Sequence, residues 1–206
     1  MYRIFIALLF INFCYSQSYY VYVAAESDDT VSVLKFDGDN FEETDKVTVG
    51  IMPTENEGPH GITIDPLGKY WYLTLAHGSP NGSLVKYSTE NNEPLSKVEL
   101  GLFPATMQIS PKTGLLYAAN FNLHGLMRTS TVSVVDPENM VEITKIKTGI
   151  MPHGSRISID GTTHYSVAMM SGELFEIDAL DLSVKRILSL DNNSNYRNAM
   201  HHSKVQ

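Results

Sequence analysis

Thr131–Met170 reads TVSVVDPENMVEITKIKTGIMPHGSRISIDGTTHYSVAMM, and its parts recur along the chain. TVSVLKFDG starts at Thr30 and GPHGITIDPLGKYWYLTLA at Gly58. A worn copy, GSLVKYSTENNEPLSKVELGLFPATMQISPKTGLLYAAN, runs from Gly82 to Asn120. Aligned on the TVSV-like strand, the copies start at Thr30, Gly82, Thr131 and Gly172, which are 52, 49 and 41 residues apart. Aligned on the proline turn, Pro59, Pro104 and Pro152 are 45 and 48 apart. Two anchors therefore agree on a period in the forties, which suits propeller blades and some helical repeats.

Local pattern decides between them. Val31/Val33, Tyr70/Tyr72, Val132/Val134 and Leu174/Ile177 lie in short β-branched or aromatic runs. Gly, Pro, Asn and Asp punctuate these runs, and no stretch after Gln17 keeps a 3.6-residue period. The expected fold is all-β: a propeller of four-stranded blades, about four of them present. Arg156–Ile159 reads as an innermost strand and His164–Ala168 as its neighbour. Glu173–Ile177 and Val184–Leu190 read as the outer pair of the next blade. Asp160-Gly161 and Asp65-Pro66-Leu67-Gly68 read as hairpin turns. A single blade cannot bury both faces, so blades must stack around an axis.

The pattern T-V-S-V-(I/V)-D, then P-H-G and D-G before a Y-V strand, resembles the YVTN family of β-propeller repeats over Tyr20 to Leu190. That resemblance implies a closed ring of more blades, typically seven. The domain 17–206 is therefore expected to be a partial propeller. The missing blades would come from further sequence, and a small closed four-bladed ring is the other reading. Met200-His201-His202-Ser203 aligns with Pro152-His153-Gly154-Ser155 as the start of another blade.

Residues 1–16 read as a secretory signal: Arg3, then an apolar run Ile4–Phe13, then Cys14-Tyr15-Ser16 as a cleavage site. The run is too short to span a bilayer. A secreted or periplasmic product follows. A lipid anchor on Cys14 competes, but Phe13 makes a poor lipobox. Cleavage after Ser16 would remove the single cysteine, and with it disulfide and thiolate chemistry. The net charge is −8 and the basic residues form no run, so nucleic acid is not an expected partner.

Strand alternation sorts the seven histidines. His60, His153 and His202 fall in the connection leading to an innermost strand. His77 and His124 fall between second and third strands. Antiparallel alternation puts both loop classes on one face of a propeller. His201 joins them beside His202, whereas His164 starts a second strand on the opposite side. These five, His60, His77, His124, His153 and His202, are the candidate metal ligands, with Met151, Met169, Met170 and Met200 nearby. Imidazole and thioether together suit copper or haem iron. The competing reading makes Pro-His-Gly a folding signature: the imidazole bonds nearby backbone, and Gly61 and Gly154 let blades approach. The second copy, Pro104-Ala105-Thr106, does without a histidine.

Carboxylates share that face. Glu26, Asp28 and Asp29 occupy one loop, and Glu55 and Glu57 precede Pro59, which could set a carboxylate beside His60. His77-Gly78-Ser79 and His153-Gly154-Ser155 read as turns, and no nucleophile motif, HExxH or Walker loop occurs. Trp71 and the tyrosines Tyr19, Tyr20 and Tyr22 read as core filling. Three functions remain. The first is an exported, non-enzymatic binding scaffold for a protein or small molecule. The second is a redox or electron-transfer propeller holding copper or haem. The third is a lactonase-type hydrolase.

Overall fold

A computed structural model describes residues 18–50, 55–78 and 80–190. The proposed signal peptide, Cys14, His201 and His202 lie outside these residues. Fifteen strands fill the described chain, arranged as four antiparallel sheets. Sheet I holds β1 (Tyr19–Ala25), β2 (Thr30–Phe36) and β3 (Phe41–Thr48). Sheet II holds β4 (Pro59–Ile64), β5 (Tyr70–Leu75), β6 (Ser83–Ser88) and β7 (Pro94–Glu99). Sheet III holds β8 (Pro104–Ile109), β9 (Leu116–Asn120), β10 (Thr129–Asp136) and β11 (Val141–Ile150). Sheet IV holds β12 (Pro152–Ile157), β13 (Thr163–Ala168), β14 (Glu173–Asp178) and β15 (Ser183–Ser189). Each four-stranded sheet runs in chain order from its proline-led strand outward, and the innermost strands β4, β8 and β12 are successive neighbours. This is an open arc of propeller blades, three complete and one of three strands.

The repeated phrase straddles two blades, which corrects the strand grouping read from sequence. Glu173–Asp178 pairs directly with Thr163–Ala168, so the outer pair belongs to the same blade as the inner pair. The break between blades falls instead at Met151, between β11 and β12. Met151 has φ of 55°, Phe103 54° and Gly58 61°, each just before its sheet's first proline. The same left-handed residue thus turns the chain from one blade to the next three times. Only the glycine adopts it without steric cost, and the two bulky residues persist there because both are buried.

Three apolar seams hold the blades together. Between sheets I and II, Tyr22, Val31 and Val49 pack on Trp71, Leu73 and Val85. Between II and III, Tyr72, Leu84 and Leu100 pack on Met107, Leu116 and Val135. Between III and IV, Tyr117, Val132 and Val134 pack on Ala168, Phe175 and Ile177. Trp71 is fully buried and stacked on Tyr87 at 3.9 Å, as core filling requires. Tyr22 tilts against Trp71 at 5.3 Å. Tyr19 and Tyr20 are instead exposed, a correction: Tyr19 lies on the face of sheet I that no other sheet covers among the described residues.

Polar bridges tighten the same seams. Thr74 Oγ1 accepts from Gly61 N at 2.7 Å and donates to Ala105 O at 3.1 Å in the next blade. A Cβ at Gly61 would stand 2.0 Å from that carbonyl oxygen, so only glycine fits. Gly154 carries no such constraint, since its nearest neighbour would be Val167 at 3.5 Å. His164 is fully buried, stacked on Tyr117 at 4.9 Å, with Nε2 2.8 Å from Ser155 Oγ. His153-Gly154-Ser155 lies in strand β12 and not in a turn, where Ser155 pairs with Ser166 and its hydroxyl reaches the His164 ring.

Candidate histidine face

Three blades deliver four imidazoles to one mouth of the arc. His60 is the second residue of β4 and His153 the second of β12. His77 follows β5, and His124 lies between β9 and β10. Phe103 sits at the centre, almost fully buried. Its ring centroid is 5.5 Å from His60, 5.3 Å from His77 and 5.5 Å from His124. Phe121 joins at 5.7 Å from Phe103 and meets His153 edge-on at 4.7 Å. Ala76, Ala105 and Met151 complete the apolar floor, with Met170 packed against it.

The histidines divide into two pairs around these two phenyl rings. His60 and His153 are 5.3 Å apart, and His77 and His124 are 6.0 Å apart. Among the described residues, no three His, Cys, Asp or Glu side chains gather closely enough to hold a metal ion. His60 Nδ1 is buried and has no hydrogen-bond partner. Burial pushes the His153 imidazole below its ordinary value; repulsion from His60 adds to this, and the Glu26 carboxylate opposes it. His153 is therefore biased toward the neutral form, able to donate from one nitrogen and accept at the other.

His77 is held differently. Its Nδ1 is 3.2 Å from Asn56 O, and its Nε2 is 3.5 Å from Glu26 Oε1. The carboxylate expected beside His60 thus lies beside His77, because Asp29 anchors the loop it shares with Glu26. Asp29 accepts from Glu57 N at 2.9 Å and Gly58 N at 3.0 Å, tying sheet I's loop to the approach of β4. A polar cleft of about 260 Å³ opens beside His77, with Glu55, Glu57 and Glu99 on its wall. Asn81 Nδ2 donates to Glu99 Oε1 there at 2.9 Å.

Strand alternation located His60, His77, His124 and His153 correctly on one face; His202 lies outside the described residues. His164 falls elsewhere, as its strand position requires. The sequence reading missed Phe103 and Phe121. A signal existed: Phe103 precedes Pro104 as Gly58 precedes Pro59, so its side chain had to enter the same mouth. Phe121 lies on the His124 connection.

No family model matches this sequence, and no curated protein is similar to it at a significant level. Solved structures do match. Kuenenia stuttgartiensis hydrazine synthase aligns with TM-score 0.67 and 20% identity, over 82% of this chain and 45% of that one. A candidate 6-phosphogluconolactonase from Bacteroides uniformis aligns with TM-score 0.66 and 21% identity, over 84% and 52%. The nidogen/laminin complex aligns with TM-score 0.61 and 15% identity, over 85% and 60%. At these identities the likeness concerns the fold. This chain spans about half the length of the structures it matches.

Proposed function

We propose that this chain is a non-enzymatic binding module of an exported, YVTN-like propeller, with the histidine face as its ligand surface. The observation that carries this is the placement of four imidazoles from three blades around two adjoining buried phenyl rings, Phe103 and Phe121. Core histidines need no such gathering. His164 shows what a structural histidine looks like here: fully buried, stacked and bonded on one nitrogen. The face offers instead a partly apolar surface of imidazoles that are open to solvent in part, bordered by Glu26 and the acidic cleft. Such a surface suits a small molecule or peptide segment that combines a flat apolar group with hydrogen-bonding or cationic groups.

A second reading has its own observation. The His60–His153 spacing and the unpartnered Nδ1 of His60 would suit two imidazoles on one copper or haem iron. Saturation-transfer NMR with a fragment library separates the readings. Fragments should compete for one site and lose contact in a His60→Ala/His153→Ala variant. Stoichiometric retention of Cu(II) or haem after dialysis would move the assignment to the redox class. Turnover of δ-valerolactone that depends on His77 would move it to the hydrolases. Fragments that bind the variant as well as the parent would overturn the histidine face as the surface.

A further inference from the structure

The mouth of the arc changes character from one side to the other. On the side of sheets I and II it is acidic. The cleft beside His77 is lined by Glu55, Glu57 and Glu99, with the Lys97 ammonium on the same wall. Glu26 approaches from sheet I, 3.5 Å from His77 Nε2. Among the described residues, none of the three cleft carboxylates forms an ion pair, and Glu99 is bonded instead to neutral Asn81.

On the side of sheets III and IV the mouth is apolar. The loop from β9 to β10 carries Leu123 and Leu126, 40% and 73% exposed, on either side of His124. The turn from β13 to β14 carries Met169, 54% exposed. Hydrogen bonds fix the backbone that presents them. Asn122 Nδ2 donates to Leu126 O at 2.9 Å, and Asn122 N donates to Leu102 O at 3.0 Å. Met169 N donates to Met151 O at 3.1 Å, and Met170 beside it packs on the apolar floor. The imidazoles join the two halves. His77 belongs to the acidic wall and His124 to the apolar loop, and their rings are 6.0 Å apart.

We propose that the occupant of this face is a peptide segment of a partner protein. It lies across the mouth with lysine or arginine over sheets I and II and bulky apolar side chains over sheets III and IV. This rests on the histidine face being the ligand surface, and adds which chemistry that surface takes and in which direction. Charge complementarity selects the basic end, because carboxylates without counter-ions attract a cationic chain and repel an acidic one. Exposed leucine and methionine beside the apolar floor select the other end, since such side chains repack around varied apolar groups. The two halves draw on loops of all four sheets, a reach that suits a linear segment better than one compact molecule. An anionic lipid surface would meet the carboxylates at the same mouth, which opposes it.

Fluorescence anisotropy on the full chain tests this with labelled peptides. The first is a lysine run followed by Leu-Trp-Leu, made in both chain directions. Its analogues carry glutamate in place of lysine, or serine in place of Leu-Trp-Leu. The lysine peptide should bind with an affinity that falls as salt rises, and each analogue should bind about tenfold more weakly, as the loss of several contacts at one end would give. Glu55→Lys/Glu99→Lys should prefer the glutamate peptide. Leu126→Ser should weaken the lysine peptide and leave its serine analogue unchanged. Both variants change exposed side chains, and circular dichroism checks their fold. Absent peptide binding, or equal binding of all the peptides, with fragments still held at His60 and His153, would overturn this proposal alone. Absence of both peptide and fragment binding would overturn the face as a ligand surface and this proposal with it. Leu126-dependent pelleting with phosphatidylserine vesicles, uncompeted by the lysine peptide, would overturn it in favour of a membrane.

Discussion

His164 and His153 lie eleven residues apart on neighbouring strands of one sheet, yet the protein uses them in opposite ways. His164 points into the seam between sheets III and IV, where Tyr117 covers its ring and Ser155 bonds its Nε2. Burial pushes its pKa down to about 3. His153 stands at the mouth of the arc, half-buried, edge-on to Phe121 and His60. The seam encloses its aromatic and polar groups between blades. The mouth leaves its imidazoles partly open to solvent. Stability and recognition are therefore carried by different surfaces of the same blades.

Removing the seam's largest contact should break the comparison most severely. Tyr117→Ala deletes a fully buried ring, the stack on His164 and the hydrogen bond to Ala179. We expect a loss of about 3–5 kcal/mol in urea unfolding, the range for large aromatic truncations. A loss below about 1 kcal/mol would mean that the seams do not carry the fold.

Acid should sharpen the same contrast. The unfolded chain protonates His164 near its ordinary 6.5, whereas the folded chain resists until about 3. The unfolded state thus binds more protons across that window. Stability is fully present above pH 6.5 and is lost as pH falls toward 3. At about 1.4 kcal/mol per pH unit for one proton, the drop between pH 6 and pH 4.5 should be about 2 kcal/mol. His153, also lowered, adds in the same direction. His164→Phe keeps a ring on Tyr117 and should remove most of that slope in urea titrations at stepped pH. Carboxylates enter lower: Asp178, held down to about 2 first by its bond to Lys185, loses its contribution only below the ordinary 3.8. An unchanged slope in His164→Phe would show that the seam histidine is not what acid attacks.

Much of this architecture is legible in the chain because a repeat enforces its own register. The prolines 59, 104 and 152 mark three innermost strands, and two-residue alternation then assigns each loop to a face. The phase of the repeat is not legible in the same way. A cycle of four strands can be cut anywhere, and only hydrogen bonding shows that β13 joins β14 within a blade. Met151 conceals the true cut, since a single left-handed residue separates β11 from β12. The candidate site divides similarly. The histidines were legible because alternation alone places them. Phe103 was hidden because apolar residues before a proline look like ordinary core. The Glu26–His77 pair was hidden because Asp29, 28 residues before Glu57, sets where that loop lies.

The central claim is that the histidine face serves recognition and leaves stability to the seams. His60→Ala/His153→Ala tests it most directly, measured by urea unfolding at pH 7 alongside fragment binding. Ala105 already occupies the equivalent position in sheet III, and His60 Nδ1 has no partner to lose. The account predicts a stability change within about 1 kcal/mol, against 3–5 for Tyr117→Ala, and loss of the bound fragments. A drop comparable to that of Tyr117→Ala, with fragment binding retained by the folded fraction, would contradict it.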